Sequence, residues 1–245
     1  MIKSSKIADP SVNHGFFGRK YGKSVGFYDS LNCSRFVGDN PEVVLQNLKI
    51  VQNEMRARNL ITMNQVHGNA CAVVDDQTSS DMQIDAMVTK TPDVAIGVLT
   101  ADCAPILLWD KVNRLIGAVH AGWRGAASGV IQSTIQQMVQ IGGDPKHILA
   151  AIGPCISMEN YEVDDEFKNN FNGKGDCFRI INFKMHFDLP LYCRNRLLES
   201  GLDEDNIDVV EIDTYVDREN YFSYRFANKN TRGICGRQIS VICLR

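Results

Sequence analysis

The most regular pattern of apolar and polar positions lies between Val94 and Gly129. Two apolar runs, Ile106–Trp109 and Leu115–Val119, flank the polar segment Asp110–Arg114. Short apolar runs joined by a polar turn predict a β-hairpin. With Asp110–Asn113 as the loop, Trp109 pairs with Arg114, and the same ladder carried back sets Cys103 directly opposite His120. Opposed residues of an antiparallel pair share a face, with Cβ atoms roughly 4.5–5.5 Å apart. Pro105 falls inside the first strand, where proline is expected only at an edge, a strand start or a bulge. After His120 the chain reads Ala-Gly-Trp-Arg-Gly. Ala127, Ile131, Ile135, Met138 and Val139 then predict a helix that Gly142-Gly143 stops. A strand, a glycine turn and a helix N-terminus leave backbone N–H groups free for an anion, and Arg124 lies in that turn.

The same reading extends along the chain. His14–Arg19 is a first strand, and 22–34 is loop-like. Asp39-Asn40-Pro41-Glu42 starts a helix, with a capping side chain, proline in the first turn and then an acid. Val44, Leu48, Val51 and Met55 carry that helix to about Arg58. Leu60–Val66 and Ala70–Val74 read as strands around His67-Gly68-Asn69. Ile84–Thr89, Val94–Leu99, Ile148–Ile152, Val209–Ile212 and Ile239–Leu244 read as further strands, and Asp188–Glu199 as a second amphipathic helix. Asn169–Cys177 reads as loop. Many strands with several helices predict an α/β fold, a mixed β-sheet covered by helices.

Composition narrows the class. With 245 residues, 44% of them hydrophobic and 22% charged, the chain is long enough for a sizeable core, and one domain over residues 1–245 is expected. A net charge of −3 favours neither nucleic acid nor an anionic membrane as partner. No apolar run approaches the ~18 residues of a membrane span. The opening segment MIKSSKIADPSVNHG lacks the apolar core of a signal peptide, so a cytoplasmic protein is expected. None of the eight cysteines forms CxxC, and reduced thiols are expected.

The candidate chemistry rests on five histidines and one cysteine. His67 lies in a turn between strands, and His120 ends a strand before a glycine turn. Together with Cys103 they make a plausible zinc set of three protein ligands with an open fourth position, the catalytic pattern. Cys103 beside His120 equally reads as a thiolate–imidazole pair for covalent catalysis. Asp102 reads either as an acceptor that orients a ligand histidine or as a turn residue. Arg124 reads as a phosphate ligand or as a solvated loop arginine.

Several segments resemble the YfiH/laccase-domain family, long described as polyphenol oxidases and now read as purine nucleoside phosphorylases. They are NQVHG at Asn64–Gly68, TADCAPILL at Thr100–Leu108, HAGWRG at His120–Gly125, IGPCIS at Ile152–Ser157, YEV at Tyr161–Val163 and FSYR at Phe222–Arg225. HGFFGR, SLNCS, VGD and the closing GRQIS match as well, so the resemblance runs in order over nearly the whole chain. It implies a metal held by His67, Cys103 and His120, zinc rather than copper. It also implies phosphorolysis of adenosine, inosine and S-methyl-5′-thioadenosine, with some adenosine deamination. Purine nucleoside and phosphate are then the small-molecule partners. Arg124 is the expected anion residue, with Asn32, Gln65 and Asp102 as motif-based substrate residues. The resemblance also brings alternatives: a copper-dependent polyphenol oxidase, and a zinc or cysteine amidase acting on a peptidoglycan precursor. Two departures stand out. Cys33 replaces the leucine usual in SLNLS, and Phe226 replaces the second arginine common after FSYR, which bears on the nucleoside preferred.

Overall fold

A computed structural model describes residues 1–171 and 175–245. In chain order its strands are β1 (Val12–Phe16), β2 (Asn59–Ile61), β3 (Cys71–Val73), β4 (Ala86–Thr89), β5 (Val94–Thr100), β6 (Ala104–Asp110), β7 (Leu115–Ala121), β8 (Ile148–Ile152), β9 (Glu162–Val163), β10 (Phe178–Ile181), β11 (Lys184–Phe187), β12 (Ile207–Val209) and β13 (Gln238–Leu244). The helices are α1 (Pro41–Glu54), α2 (Trp123–Ser128), α3 (Val130–Gln140), α4 (Leu189–Glu199) and α5 (Tyr224–Asn230).

The expected mixed sheet covered by helices is present, but as two main sheets. A six-stranded sheet runs β12-β8-β6-β7-β4-β3 and a four-stranded sheet runs β1-β13-β5-β2; β9, β10 and β11 form a small third. Alternate residues of each strand go to different cores. On β6, Leu107 and Trp109 meet Ile96 and Val98 of β5 between the two sheets, whereas Ile106 and Leu108 pack under α3 and α4. On β5, Ala95 and Leu99 face the other way, toward Val51 of α1 and Met55 just past its end. The layers are therefore helix, sheet, sheet, helix. Being covered on both faces, β5, β6 and β7 are buried at every residue and read as unbroken apolar runs rather than alternating ones.

The hairpin forms, with a shifted register. Asp110 pairs with Leu115, so the loop is 111–114 and Pro105, not Cys103, lies opposite His120. The cause is the Asp110 carboxylate. From the end of β6 it accepts the N–H groups of Val112 and Asn113 in the turn and that of Asp144. Arg114 closes the loop with a left-handed φ of 53°. Moving the loop by one residue moves each partner by two, so every side chain keeps its face. Pro105 is tolerated inside the sheet for a related reason. The His120 N–H donates to the Asp85 carbonyl on the β4 side, which turns the Pro105 backbone toward β8 beyond its last paired residue, Ile152.

Other boundaries shift for local reasons. The Asn40 side chain caps α1 by accepting from Glu42 and Val43 N–H, but the helix stops at Glu54, because Arg56 adopts a φ of 50° and Arg58 N–H turns to the Asp93 carbonyl. The helix expected through Ala127 and Val139 is two helices. Gly129, at a left-handed φ of 97°, separates α2 from α3, and Val139 ends exposed. The first strand covers Val12–Phe16 rather than His14–Arg19, and in place of the expected Leu60–Val66 the strand is Asn59–Ile61. The helix expected over Asp188–Glu199 is α4, and Asp188 caps it by accepting from Leu191 N–H. In the expected loop Asn169–Cys177, a short 3-10 turn ends at Asn170 and another opens at Gly175; residues 172–174 lie outside the described residues.

Candidate metal centre

Three segments that are distant in sequence meet beside the ends of β5 and β7. Cys103 stands just before β6, His120 near the end of β7, and His67 in the turn before β3. Their ligand atoms all lie within 4.8 Å of one another, and the Cys103 Sγ is 3.9 Å from His67 Nε2. The two imidazole rings stand edge to face, 4.8 Å between centroids. Continued past Ala104 and Ala121, the ladder sets Cys103 opposite Gly122, two residues from His120 on the same face. Gly122 has an ordinary φ of −74°, so its role is spatial: a Cβ there would lie 2.8 Å from His67 Cδ2 and 3.0 Å from Cys103 Sγ.

Two left-handed residues, His67 at φ 59° and Asp102 at φ 85°, build this centre, and a buried carboxylate holds each turn. Asp85 accepts the N–H groups of Val66, His67 and Gly68 at 3.2, 2.9 and 2.7 Å. The same carboxylate lies 2.7 Å from His120 Nδ1. A carboxylate can only accept, so His120 donates from Nδ1 and turns Nε2 to the centre. Asp102 accepts from Thr214 Oγ1, Ser223 Oγ and Arg225 N–H, which ties the turn before Cys103 to the start of α5.

The electrostatics match these contacts. Burial pushes the Cys103 thiol up, but His120, through charge and hydrogen bond, and then His67 outweigh it and bring the thiol to about 6. Burial pushes His120 down, and Cys103 and Asp85 overcome this to raise it to about 9. Asp85, raised by burial, is lowered further by its bonds to His120 and the 66–68 backbone. Two imidazoles and a thiol poised to ionise, one imidazole oriented by a carboxylate, make a donor set that fits a divalent transition metal. His67 is exposed and His120 buried, so a metal held there would face the cavities.

Two cavities of about 470 and 510 Å³ share His67, Cys103, Arg124 and Tyr224, and the first also reaches His120. Arg124 is exposed, 4.3 Å above the Trp123 ring, and pairs with no carboxylate among the described residues. It sits in the first turn of α2, which opens at Trp123, so the helix begins before Arg124 rather than after it. The other expected substrate residues are placed differently. Asn32 is fully buried and lines neither cavity, its amide bonding Asp39 and Ser34 and its carbonyl oxygen accepting from Arg237 N–H. Gln65 lines the first cavity, yet both ends of its amide are bonded to the Leu99 backbone at 2.7 Å. Asp102 reaches the second cavity with its carboxylate already committed to α5, and it makes no hydrogen bond to a histidine among the described residues. Asp85, which the sequence reading missed, orients His120 instead; its one signal was an acid opening the apolar strand Ala86–Thr89. Tyr161, which lines the second cavity, was read only as part of a motif.

A sequence model of the family described as multi-copper polyphenol oxidoreductase laccase matches residues 13–245. A Rickettsia prowazekii protein named purine nucleoside phosphorylase is 31% identical over 221 residues, covering 88% of this chain and 89% of its own. The purine nucleoside phosphorylase YfiH of Shigella flexneri is 34% identical over 232 residues, 91% and 90% of the two chains. Among solved structures, the Bacillus licheniformis hypothetical protein YfiH superposes with a TM-score of 0.89 at 27% identity over 96% of this chain and 93% of that one. Matched over nearly its full length in sequence and in fold, the chain belongs to the laccase-like YfiH family.

Proposed function

We propose that this chain is a zinc-dependent purine nucleoside phosphorylase of the cytoplasm, one domain over residues 1–245. Adenosine, inosine and S-methyl-5′-thioadenosine are its substrates, and adenosine deamination is a side activity. The observation that carries this reading is the meeting of two imidazoles and an acidified thiol where two cavities join, in a chain whose relatives are named purine nucleoside phosphorylases. Cavities of this size suit small-molecule substrates.

In phosphorolysis a phosphate oxygen bonds to the ribose C1′ as the C1′–N9 bond breaks. The bonding pair leaves with the purine, which takes up a proton from solvent. His67, Cys103 and His120 would hold zinc, which supplies Lewis acidity when bound. Asp85 keeps His120 in the tautomer that ligation needs. Arg124, without a competing carboxylate among the described residues, supplies a planar, permanently charged donor set for phosphate. Gln65 supports the site through the Leu99 backbone and Asp102 through Thr214, Ser223 and the Arg225 N–H, and Asn32 braces the segment that carries Ser34.

The family description names copper. Multicopper oxidation needs several imidazole-rich centres. The chain has five histidines, and the described residues contain one cluster of three candidate ligands. That supports zinc chemistry over phenol oxidation. One observation favours a second reading: the Cys103 thiol, brought to about 6 beside His120, also suits a nucleophile for amide hydrolysis. Incubating metal-replete protein with each nucleoside, with and without phosphate, tests the proposal. Phosphate-dependent release of free base and sugar phosphate is expected. Turnover of an amide substrate alone would favour the second reading.

A further inference from the structure

The two cavities differ in chemistry. No carboxylate lines the first among the described residues, and Arg124 and Arg237 both reach it. Arg237 donates through one guanidinium nitrogen to the carbonyls of Cys235 and Gly236 and to Cys235 Sγ. Its other two nitrogens have no partner among the described residues. The second cavity is walled by the rings of Trp123, Tyr161, Phe167 and Tyr224, and its cations Arg124, Arg225 and Lys229 are accompanied by the carboxylates of Asp102 and Asp164.

Tyr161 is the unusual member of that wall. Its ring is held by Phe187 at 5.8 Å, Phe167 at 6.3 Å and the Arg225 guanidinium 5.1 Å above it. These contacts enclose the ring and not the hydroxyl, which keeps some exposure and has no hydrogen-bond partner among the described residues. Tyr161 lines the same cavity as Cys103, and burial above all pushes the phenol up, so it stays protonated as a donor. A purine nucleoside presents a flat aromatic face and a rim of acceptors, which suits ring walls and a free O–H. Phosphate suits arginines and avoids carboxylates.

We infer that the nucleoside binds in the aromatic cavity with the Tyr161 hydroxyl donating a hydrogen bond to it beside Cys103, while phosphate enters the arginine cavity; the assignment rests on the phosphorylase reading above. Tyr161→Phe removes one oxygen and leaves the ring packing in place. With initial rates measured against both substrates, Y161F is expected to raise the adenosine KM at least tenfold and change the phosphate KM less than twofold. R237Q is expected to do the reverse. Calorimetric titration with adenosine alone should show the same tenfold weakening in Y161F at unchanged zinc content and melting temperature. A measurement on the wild-type protein needs no variant: saturating sulfate, an unreactive tetrahedral anion, should leave adenosine affinity within twofold. Competition between the two, an unchanged adenosine affinity in Y161F, or the reverse pattern of KM changes would overturn the inference. Failure of the wild type to release base from any purine nucleoside would instead sink the phosphorylase reading. The calorimetric arm then still decides the site, since adenosine that binds nowhere, or binds Y161F equally well, refutes it.

Discussion

A single oxygen of Asp85 serves two candidate metal ligands at once: Oδ1 lies 2.7 Å from His120 Nδ1 and 2.9 Å from the His67 backbone N–H. It sets the tautomer of one histidine and the backbone turn of the other. Asp85→Asn keeps the shape but weakens both bonds. Zinc affinity, measured by competition with a chromophoric chelator, should fall 10–100-fold, as is typical when a carboxylate behind a histidine ligand is lost. Unaltered affinity would show that the pair has no part in holding metal.

Gly122→Ala tests the space rather than the bond. Alanine accepts the backbone angles of this position, and the metal-free protein should melt within a few degrees of the parent. The added Cβ displaces the exposed His67 ring, which lies 2.8 Å away. Zinc binding should therefore drop by tenfold or more while the fold persists. Tight zinc binding by the variant would place the metal elsewhere.

Arg124→Lys keeps the charge and loses the planar fork. The phosphate KM for phosphorolysis should rise at least tenfold, on the order of 1.4 kcal/mol. Deamination, which needs no phosphate, should suffer less. Equal loss of both activities would assign Arg124 a general structural role.

Removing the metal separates the two chemistries open to Cys103. Chelation should abolish phosphorolysis and expose the thiol to alkylation, and added zinc should restore the rate. Full activity in rigorously metal-free protein would favour a Cys103–His120 nucleophile pair.

His14 predicts the acid limb of stability. It is 2% exposed, and its Nε2 accepts the Ser4 N–H at 2.9 Å, so the fold requires the neutral ring. Burial, and then Lys3, hold it at about 4, below the usual 6.5. The unfolded chain takes the proton first. The stabilisation is therefore complete above about 6.5 and is lost as pH falls from there through about 4, amounting to about 2 kcal/mol by pH 5. Urea unfolding at pH 7.5 and pH 5 should show that loss in the parent and not in His14→Gln. Equal losses in both would remove His14 as the cause.

What the sequence determined by itself is what neighbouring residues decide. Asn40 announces its helix because a cap acts within one turn. The apolar runs of β5 to β7 announce buried strands because burial is written into each residue. His67, Cys103 and His120 could be named as a candidate trio because each stands at a strand end or turn within a motif of the family. The tertiary structure alone decided the register, because the Asp110 carboxylate works from the strand and also reaches Asp144. It alone showed that Asp85 orients His120, although Asp102 stands beside Cys103 and seemed better placed. Asp102 is committed to Thr214 and Ser223, more than a hundred residues on. A buried carboxylate takes whichever donors the packed chain brings to it, and no local spacing encodes that choice.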